Sequence, residues 1–505
     1  METEIELKFF VSPDIADKLI DKIADAKILK QSSRMLSNTY FDTDDHQLRR
    51  HDIGLRIRQI DERYIQTLKT SGRVVAGLHQ RPEYNDDLSS HQLDLSLISS
   101  DAWPQSFEIE KLQTMLSPLF TTNFQRTQWL IEMDDGSTIE MAFDLGEVRS
   151  GDKTDDISEI ELELISGQTD ALFSLANQIS ESGGMRLGNL SKAARGYRLA
   201  FATKPEEVSL IPFVPLDNTL SIEESFVKTL EHALSHWLKH EQIYFEQHDR
   251  QALYQIENSI NFILQAYTIF ADLIPNRSSS LIRQELQWLK DELFWLDEAS
   301  QINFLLAEKG QQLKKLNGQK LIVSKLKQRR TALPTEEQIA LLMTSGRYCG
   351  LILDLSRWIL TRDWQPFIDN KIRRQLQTSI KPFADKMLEK SWSHLLNVFS
   401  DTETIERDVY LEQWSKLDRN LLTGLFFARL YQDDERSQFR LPWLDVMKGM
   451  DDLTFLGLLH TIANELDDKD DYQQLMKWLS RKEGYLLHAL DLSRLIGIDQ
   501  QPYWH

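Results

Sequence analysis

Cysteine, long apolar runs and surplus basic charge are all scarce in this sequence. Cys349 is the single cysteine among 505 residues, which excludes an intramolecular disulfide framework and a zinc site built on cysteines. No apolar stretch approaches the roughly 20 residues that a membrane-spanning helix needs. The formal net charge is −20. Because phosphate backbones and anionic membranes attract surplus Lys and Arg, we expect neither nucleic acid nor a membrane as a partner.

The composition is otherwise that of an ordinary globular protein. Hydrophobic residues make up 41% and charged residues 27% of the chain, whose length suits two to four domains. The first residues, METEIELKFF, contain no basic segment followed by an apolar run, so no signal peptide is expected. Together with the scarcity of cysteine, this predicts a cytoplasmic protein.

Over 1–203, apolar and polar residues alternate with a period of two. Examples are GLRIRQI and EIELELIS, and turn signals separate several such runs. The pattern predicts an α+β domain built on a mostly antiparallel sheet or barrel. Helices are predicted over 12–29, over 169–182, and from Ser191 onward.

The period changes to that of a helix after a proline-containing linker predicted over 204–218. Ser221 and Glu224 are spaced as a capping box at the start of the first long helix. We therefore expect 219–505 to be all helical, with enough residues for two helical bundles. The chain around Pro366 could divide them.

Charged side chains occupy one face of the predicted strands, and they are sorted by sign. In EIELKF, Glu4, Glu6 and Lys8 alternate with apolar residues. The carboxylates are Glu4, Glu6, Glu140, Asp144, Glu159, Glu161 and Glu163, and the cations are Lys8, Arg56, Arg58, Lys69, Arg81, Arg126, Lys192 and Arg195.

Two interpretations of these faces remain open on the residues alone. Either each face is simply solvated, as on the outside of a half-exposed sheet, or the sheet closes and the charges point inward. Buried charges need partners. Separate clusters of carboxylates and cations would then suit a polyanion accompanied by Mg²⁺ or Mn²⁺.

A set of short motifs carries a resemblance to a known family. In order and spacing, EIELKF, NTYFDT, GLRIR, TLKT, HQRPEYN, FQRTQW, EIELEL and LSKAARGY resemble the CYTH or triphosphate tunnel metalloenzyme family over about 1–203. The helical remainder, with HALSHWLKHE after the prolines, resembles a CHAD domain. The arrangement as a whole is similar to bacterial inorganic triphosphatases that join the two.

The resemblance implies an eight-stranded antiparallel barrel whose charged lumen hydrolyses inorganic triphosphate to pyrophosphate and phosphate with Mg²⁺ or Mn²⁺. It implies catalytic roles for Glu6, Lys8 and Arg58. The implied phosphate contacts are Lys8, Arg56, Arg58, Lys69, Arg81, Arg126, Lys192 and Arg195. The implied metal ligands are Glu4, Glu6, Glu161, Glu163, Asp144 and Glu140, and Glu159 is in phase with the late pair, so their register is open by two residues.

Other activities of the same fold form the alternatives: an adenylate cyclase, a nucleoside or thiamine triphosphatase, or a polyphosphate-binding module. The CHAD resemblance implies polyphosphate as a ligand of the helical region, although LYQIENSINFILQAY there contains no Lys or Arg. His232, His236 and His240 are spaced by four residues. They form either a phosphate- or metal-contacting stripe or a partly exposed polar one.

Overall fold

The structure is a computed structural model that describes residues 2–12, 15–24, 26–75, 77–307, 313–314, 316, 318–399 and 404–504. Ten strands in these ranges form one sheet. They are β1 (Glu2–Val11), β2 (Lys27–Thr43), β3 (Gly54–Ile60), β4 (Arg63–Lys69), β5 (Arg73–Val75), β6 (Leu78–Leu88), β7 (Leu116–Glu132), β8 (Thr138–Ser150), β9 (Lys153–Ser166) and β10 (Met185–Leu187).

Eight of these strands close into an antiparallel barrel. Their order is β1-β9-β8-β7-β2-β3-β4-β6, and β6 pairs back with β1. The short strands β5 and β10 add to β6 and β1. The predicted α+β fold, with an eight-stranded barrel ahead of a helical region, is confirmed. Closure explains the charged faces, because alternate side chains of a barrel strand point into its lumen.

Five helices accompany the barrel: α1 (Ile15–Lys22), α2 (Gln47–Arg50), α3 (Ile109–Met115), α4 (Thr169–Ser180) and α5 (Lys192–Ala200). The prediction of a helix over 12–29 is wrong at its C-terminal end, since α1 ends at Lys22 and β2 begins at Lys27. Positions 13, 14 and 25 lie outside the described residues. β2 pairs with β7 along its whole length, and this pairing outweighs the local helical pattern.

Helix α5 is held tightly against the barrel wall. Ser191 caps it by accepting a hydrogen bond from the Ala194 amide, as the sequence predicts. Tyr197 packs edge-on against Phe120 with 5.3 Å between ring centres. A Cβ on Gly196 would come within 2.1 Å of the Phe120 ring, so glycine permits the close approach. The capped first turn thereby presents Lys192 to the lumen.

The helical region contains α6 (Ile222–Gln247), α7 (Gln251–Ile269), α8 (Ser280–Glu292), α9 (Trp295–Leu306), α10 (Gln319–Thr331), α11 (Glu336–Met343), α12 (Gly346–Thr361), α13 (Asn370–Leu376), α14 (Ile380–Phe399), α15 (Arg407–Phe427), α16 (Asp433–Ala463) and α17 (Lys469–Ile498). The capping box is present: the Ser221 amide donates to Glu224 at 2.8 Å, and the Glu224 amide donates back to Ser221 Oγ at 3.2 Å. One hydrophobic cluster joins α9, α10, α16 and α17.

Over the described ranges, no single helix combines the length and hydropathy needed to cross a bilayer. One bent pair, α10 to α11 followed by α12, satisfies those two criteria only when its parts are counted together.

The chain divides into two compact units. The first comprises Met1–Glu207, Phe245–His248 and Glu336–Asp363, and the second comprises Val208–Tyr244, Asp249–Thr335 and Trp364–His505. Helices α11 and α12 thus belong to the unit that contains the barrel.

Helix α12 packs on α4 within the first unit. Arg357 forms an ion pair with Asp170, and the Asn177 amide donates to Asp354 at 3.1 Å. At the start of α12, a Cβ on Gly346 would lie 2.6 Å from the Glu181 carbonyl oxygen. The two helices are therefore in close contact.

Candidate active site in the barrel

The barrel lumen encloses a charged cavity of about 270 Å³. Twelve of the predicted site residues line it: Glu4, Glu6, Lys8, Arg56, Arg58, Lys69, Arg81, Arg126, Glu140, Glu161, Glu163 and Lys192. Asp144 and Arg195 are not on its wall. Asp144 is fully buried behind Arg126 and Lys192, and Arg195 is held by Asp155 at 2.7 Å. The register left open in β9 is also resolved geometrically, since Glu161 and Glu163 face the cavity and Glu159 lies behind it.

Three carboxylates and three cations form what we term the balanced cluster: Asp144, Glu159, Glu161, Lys8, Arg126 and Lys192. Lys8 Nζ lies 2.6 Å from Glu161 and 3.2 Å from Glu159. Arg126 reaches both oxygens of Asp144 at 2.6 and 2.7 Å and also Glu161 at 2.6 Å. Lys192 contacts all three carboxylates, with Asp144 at 2.7 Å and Glu161 at 3.0 Å.

In the balanced cluster, oppositely charged side chains stabilise the charged forms of Lys8 and Glu161. Burial opposes the charge on Lys8, but Glu159 and Glu161 hold its pKa well above the ordinary value. Burial likewise opposes ionisation of Glu161, yet Lys192, Lys8 and Arg126 hold its pKa well below the ordinary value. Three acidic and three basic side chains of the cluster thus lie within ion-pair distance of one another, as a buried ionic network requires.

A second set of carboxylates lacks such compensation. Strand register places Glu6 opposite Glu163, and Glu163 opposite Glu140, across β1, β9 and β8; we call these three the carboxylate row. Within the described ranges, Glu6 and Glu163 form no ion pair. Burial and the nearby Glu161 and Glu4 raise the pKa of Glu6 to about 7. Burial and Glu4 raise that of Glu163 to about 8. Ionisation of both groups is therefore unfavourable near neutral pH unless a cation is close.

Positive charge accumulates on β3. Arg58 donates from Nε to Asn38 at 2.9 Å, and Arg56 donates to the Tyr40 hydroxyl at 3.2 Å. Burial, Arg56 and Arg126 together lower the pKa of Arg58 to about 9. No carboxylate pairs with Arg58 in the part of the chain described. Its guanidinium is a fork of donors suited to phosphate oxygens.

Lys69 is less available for binding a phosphate than the sequence suggests. Its ammonium lies 2.6 Å from Glu4 and 3.3 Å from Glu83, so two carboxylates already share its charge. Glu83 also lies 4.0 Å from Arg56. These contacts leave Arg58 as the least compensated of the described cations that line the lumen.

Two groups of carboxylates are candidates for a metal site, and in the described part of the chain only the first brings three donor atoms close together. Asp144, Glu159 and Glu161 bring one oxygen each within 4.8 Å of one another, but ammonium and guanidinium groups already occupy those oxygens. The carboxylate row with the adjacent Glu4 offers hard oxygen donors, and burial together with neighbouring carboxylates raises the pKa values of Glu6 and Glu163. This donor set fits Mg²⁺ or Mn²⁺ better.

His79, Glu83 and Tyr40 also line the cavity, and sequence reasoning assigned none of them to the site. His79 is buried, and its Nε2 has no hydrogen-bond partner among the residues that the structure describes. Burial, Lys8 and Arg81 lower its pKa to about 4, so the imidazole is neutral near pH 7. A signal was present: His79, Arg81 and Glu83 are spaced by two in HQRPEYN and share one strand face.

The three histidines of α6 are bonded to protein atoms. His232 donates to the Pro212 carbonyl at 2.9 Å, and His236 lies 3.4 Å from the Gln255 side-chain oxygen. His240 donates from Nδ1 to the His236 carbonyl at 2.8 Å and accepts at Nε2 from the Ser209 amide at 3.2 Å. His236 and His240 are buried. These contacts give the stripe a structural role.

Comparisons with known proteins agree with this architecture. The CYTH domain model matches residues 2–197, and the CHAD domain model matches residues 228–480. An inorganic triphosphatase from Haemophilus influenzae is 42% identical over 200 residues, which is 39% of this chain and 55% of the relative. The match thus spans about half of that relative's length.

Two solved structures are also similar to parts of the chain. The CHAD domain of the plant Ricinus communis is 19% identical and covers 58% of this chain and 98% of its own, with a TM-score of 0.42. An inorganic triphosphatase is 20% identical and covers 34% of this chain and 80% of its own, with a TM-score of 0.16.

Proposed function

This chain belongs to the proteins that join a CYTH domain to a CHAD domain, and on that premise we propose that its barrel hydrolyses inorganic triphosphate to pyrophosphate and phosphate. One observation carries the proposal: over the described residues, a single cavity holds a guanidinium on β3, that of Arg58, and two carboxylates of the carboxylate row, Glu6 and Glu163, that form no ion pair. A phosphate chain with a divalent cation would neutralise both. The name of the Haemophilus relative supports the same substrate.

Arg58 is the proposed principal phosphate ligand, because it forms no ion pair over the described residues, and Arg56 lies beside it on the same strand face. Lys8, Arg126 and Lys192 extend the donor surface while the balanced cluster fixes their positions. Catalysis of phosphoryl transfer depends mainly on such positioning and on charge stabilisation, so no side-chain nucleophile is needed. Arg81 lines the same cavity and completes the set of guanidiniums that face the substrate.

Glu6 and Glu163, with Glu4 and Glu140 beside them, are the proposed ligands of Mg²⁺ or Mn²⁺. When bound, such an ion supplies neutralising charge for the polyphosphate oxygens. Asp144 and Glu161, which the resemblance also implies as ligands, act in this proposal through the cations that they orient. Arg195 forms an ion pair with Glu159 at 3.8 Å.

His79 is the proposed acceptor for the attacking water. The oxygens of ionised triphosphate are acceptors, so they cannot use the free lone pair on Nε2, whereas a water can donate to it. His79 pairs in register with Glu6, which puts it beside the carboxylate row. It would act as a positioning residue that restricts where the water lies.

The experiment is phosphate release from triphosphate, ATP, thiamine triphosphate and long-chain polyphosphate, each with Mg²⁺ and with Mn²⁺. We expect the highest kcat/KM with triphosphate, and pyrophosphate among the products. Faster turnover of ATP, or formation of cyclic AMP, would identify a nucleotide enzyme of the same fold. An inactive protein that binds polyphosphate would contradict an enzymatic role altogether.

We also propose a cytoplasmic location, from the single, buried Cys349, and no nucleic-acid or membrane partner, from the net charge of −20. The α6 histidines are bonded internally, so any binding of polyphosphate would have to use other residues of the helical region.

A further inference from the structure

The second unit contains a pocket larger than the barrel cavity. It has a volume of about 480 Å³ and lies between α7, α14 and α15. Ile269, Met387, Leu395 and Val398 give it an apolar floor. Pockets of roughly 300 to 1,000 Å³ with mostly apolar walls and a few polar groups are typical of small-molecule sites. This pocket has no part in the barrel chemistry.

The rim of the pocket is basic. Lys390, Lys416 and Arg419 are exposed there, with His394 beside them, and none of the described residues that line the pocket is a carboxylate. None of the three cations forms an ion pair over the described ranges. In a chain with a net charge of −20, this is a local concentration of positive charge that attracts an anion.

Gln265 lines the pocket, and its side-chain oxygen is buried without a hydrogen-bond partner among the described residues. Gln265 is only 7% exposed, and its amide nitrogen donates to the Arg419 carbonyl at 3.3 Å and to Thr423 Oγ1 at 3.0 Å. Thr423 in turn donates its proton to the Arg419 carbonyl at 2.7 Å, so it cannot serve the Gln265 oxygen. That oxygen has no donor. A buried acceptor left unbonded is unfavourable, so the site suits a ligand that brings an N–H or O–H group.

We propose that this pocket binds a small organic anion with an apolar body and a hydrogen-bond donor. The anionic group meets the Lys416 and Arg419 side chains, the apolar body covers the floor, and the donor bonds to the Gln265 oxygen. An inorganic phosphate chain fits poorly, because it has no apolar surface and, when ionised, offers only acceptors. The site therefore differs in ligand chemistry from the barrel cavity.

The test uses two fluorescent probes that share one skeleton. 8-Anilinonaphthalene-1-sulfonate has fused rings, an N–H donor and a sulfonate, whereas N-phenyl-1-naphthylamine lacks only the sulfonate. Each is titrated into the full-length protein, and the stoichiometry is measured by calorimetry. We expect one saturable site for the sulfonate probe and at least tenfold weaker binding of the uncharged probe.

Substitutions test whether the sulfonate probe binds in this pocket. Arg419→Gln and Gln265→Met should each weaken the sulfonate probe at least fivefold, while Lys477→Gln, an exposed cation on α17, should leave its Kd unchanged. Triphosphate hydrolysis by Arg419→Gln should equal that of the wild type, and an unchanged Tm and far-UV circular dichroism spectrum would show that the helical unit of the variant is folded. The proposal is overturned if binding does not saturate at one site, if the two probes bind equally, if Arg419→Gln binds normally, or if triphosphate or polyphosphate displaces the probe from it.

Discussion

At the scale of single residues, Arg58 keeps its charge against unfavourable surroundings. Because the folded state lowers its pKa to about 9, the charged guanidinium is less favourable in the folded than in the unfolded chain at pH 7.5. Arg58→Gln should therefore leave the free energy of unfolding equal to or above that of the wild type. Triphosphate hydrolysis should fall roughly 100-fold or more. Urea unfolding and phosphate release measure the two quantities.

Arg63→Gln is the matched control for that variant. Arg63 lies on the adjacent strand and forms an exposed ion pair with Asp87 at 2.9 Å. Exposed pairs contribute little, so stability should change by less than about 0.5 kcal/mol and activity should remain. If Arg58→Gln instead lowers the free energy of unfolding by as much as the fall in activity represents in activation free energy, Arg58 is needed for the fold.

The contribution of Glu6 to stability depends on pH and on divalent metal ions. Its folded pKa of about 7 is raised above the ordinary value, so its contribution to stability is complete at low pH and is lost as the pH rises through 7. At pH 8 without divalent ions, Glu6→Gln should therefore melt above the wild type. Added Mg²⁺ or Mn²⁺ should raise the Tm of the wild type and not that of Glu6→Gln.

Glu62→Gln, in the exposed β3–β4 turn, should respond to metal as the wild type does. An equal metal-dependent rise in Tm for Glu6→Gln would remove Glu6 from the metal site. A Glu6→Gln protein that melts below the wild type would show that Glu6 is compensated in solution.

His79 offers a prediction that separates positioning from packing. Gln keeps an acceptor near the place of Nε2, and Leu does not. His79→Leu should lower kcat roughly tenfold with little change in KM, while His79→Gln should retain most of the activity. Steady-state kinetics with triphosphate distinguish these outcomes. Equal losses in both variants would contradict a role for the free lone pair.

Side-chain faces could be predicted from the sequence, but their pairing could not. Alternation along each strand correctly places Glu6 and Arg58 in the lumen, because a strand has a period of two. Which carboxylate meets which cation depends on register across strands. Asp144 has the expected strand alternation and Arg195 the expected helical spacing, yet neither lines the cavity. Each forms ion pairs behind the cavity wall instead.

At the scale of elements, neighbouring strands decide what local patterns leave open. The β2 strand begins inside a stretch that reads as a helix, since its pairing with β7 supplies hydrogen bonds that no local pattern reveals. Helices with their own caps were easier to predict. Ser191 and Ser221 each mark a helix start at the expected position, because a cap is a local interaction.

We expect protonation of His236 in helix α6 to lower the free energy of unfolding at acid pH. Burial and the adjacent His240, with smaller effects of His232 and Lys239, lower the pKa of His236 to about 4, against a weak contact to Gln255. A lowered pKa means that this stability is present above pH 6.5 and is lost as the pH falls towards 4. Between pH 7.5 and 4.5, the wild type should therefore lose about 2 kcal/mol more unfolding free energy than His236→Gln.

His488→Gln, an exposed histidine of the same unit, serves as the control and should show the wild-type pH dependence. Denaturant unfolding followed by far-UV circular dichroism at the two pH values provides the measurement. If His236→Gln shows the same loss as the wild type, protonation of His236 is not what destabilises α6.

At the scale of the whole molecule, the compact units do not follow the chain in simple succession. A boundary over 204–218 stays a prediction from the prolines, yet α11 and α12, from far beyond it, belong to the unit with the barrel. The sequence gives no sign of this, because α12 is an ordinary amphipathic helix whose partner, α4, is about 180 residues away in the chain. Only tertiary packing identifies the pair.

A fragment of residues 1–207 should therefore be folded but incomplete, since it lacks the helix that covers α4. Joining 336–363 to it through a flexible Gly-Ser linker of about 20 residues should raise the Tm of the fragment by about 5 °C or more. The same fusion with Gly346→Val is the control, because the new Cβ would meet the Glu181 carbonyl at 2.6 Å. The Gly346→Val fusion should show little of this rise in Tm. If the bare fragment and the fusion melt together, α12 contributes nothing to the stability of the barrel unit.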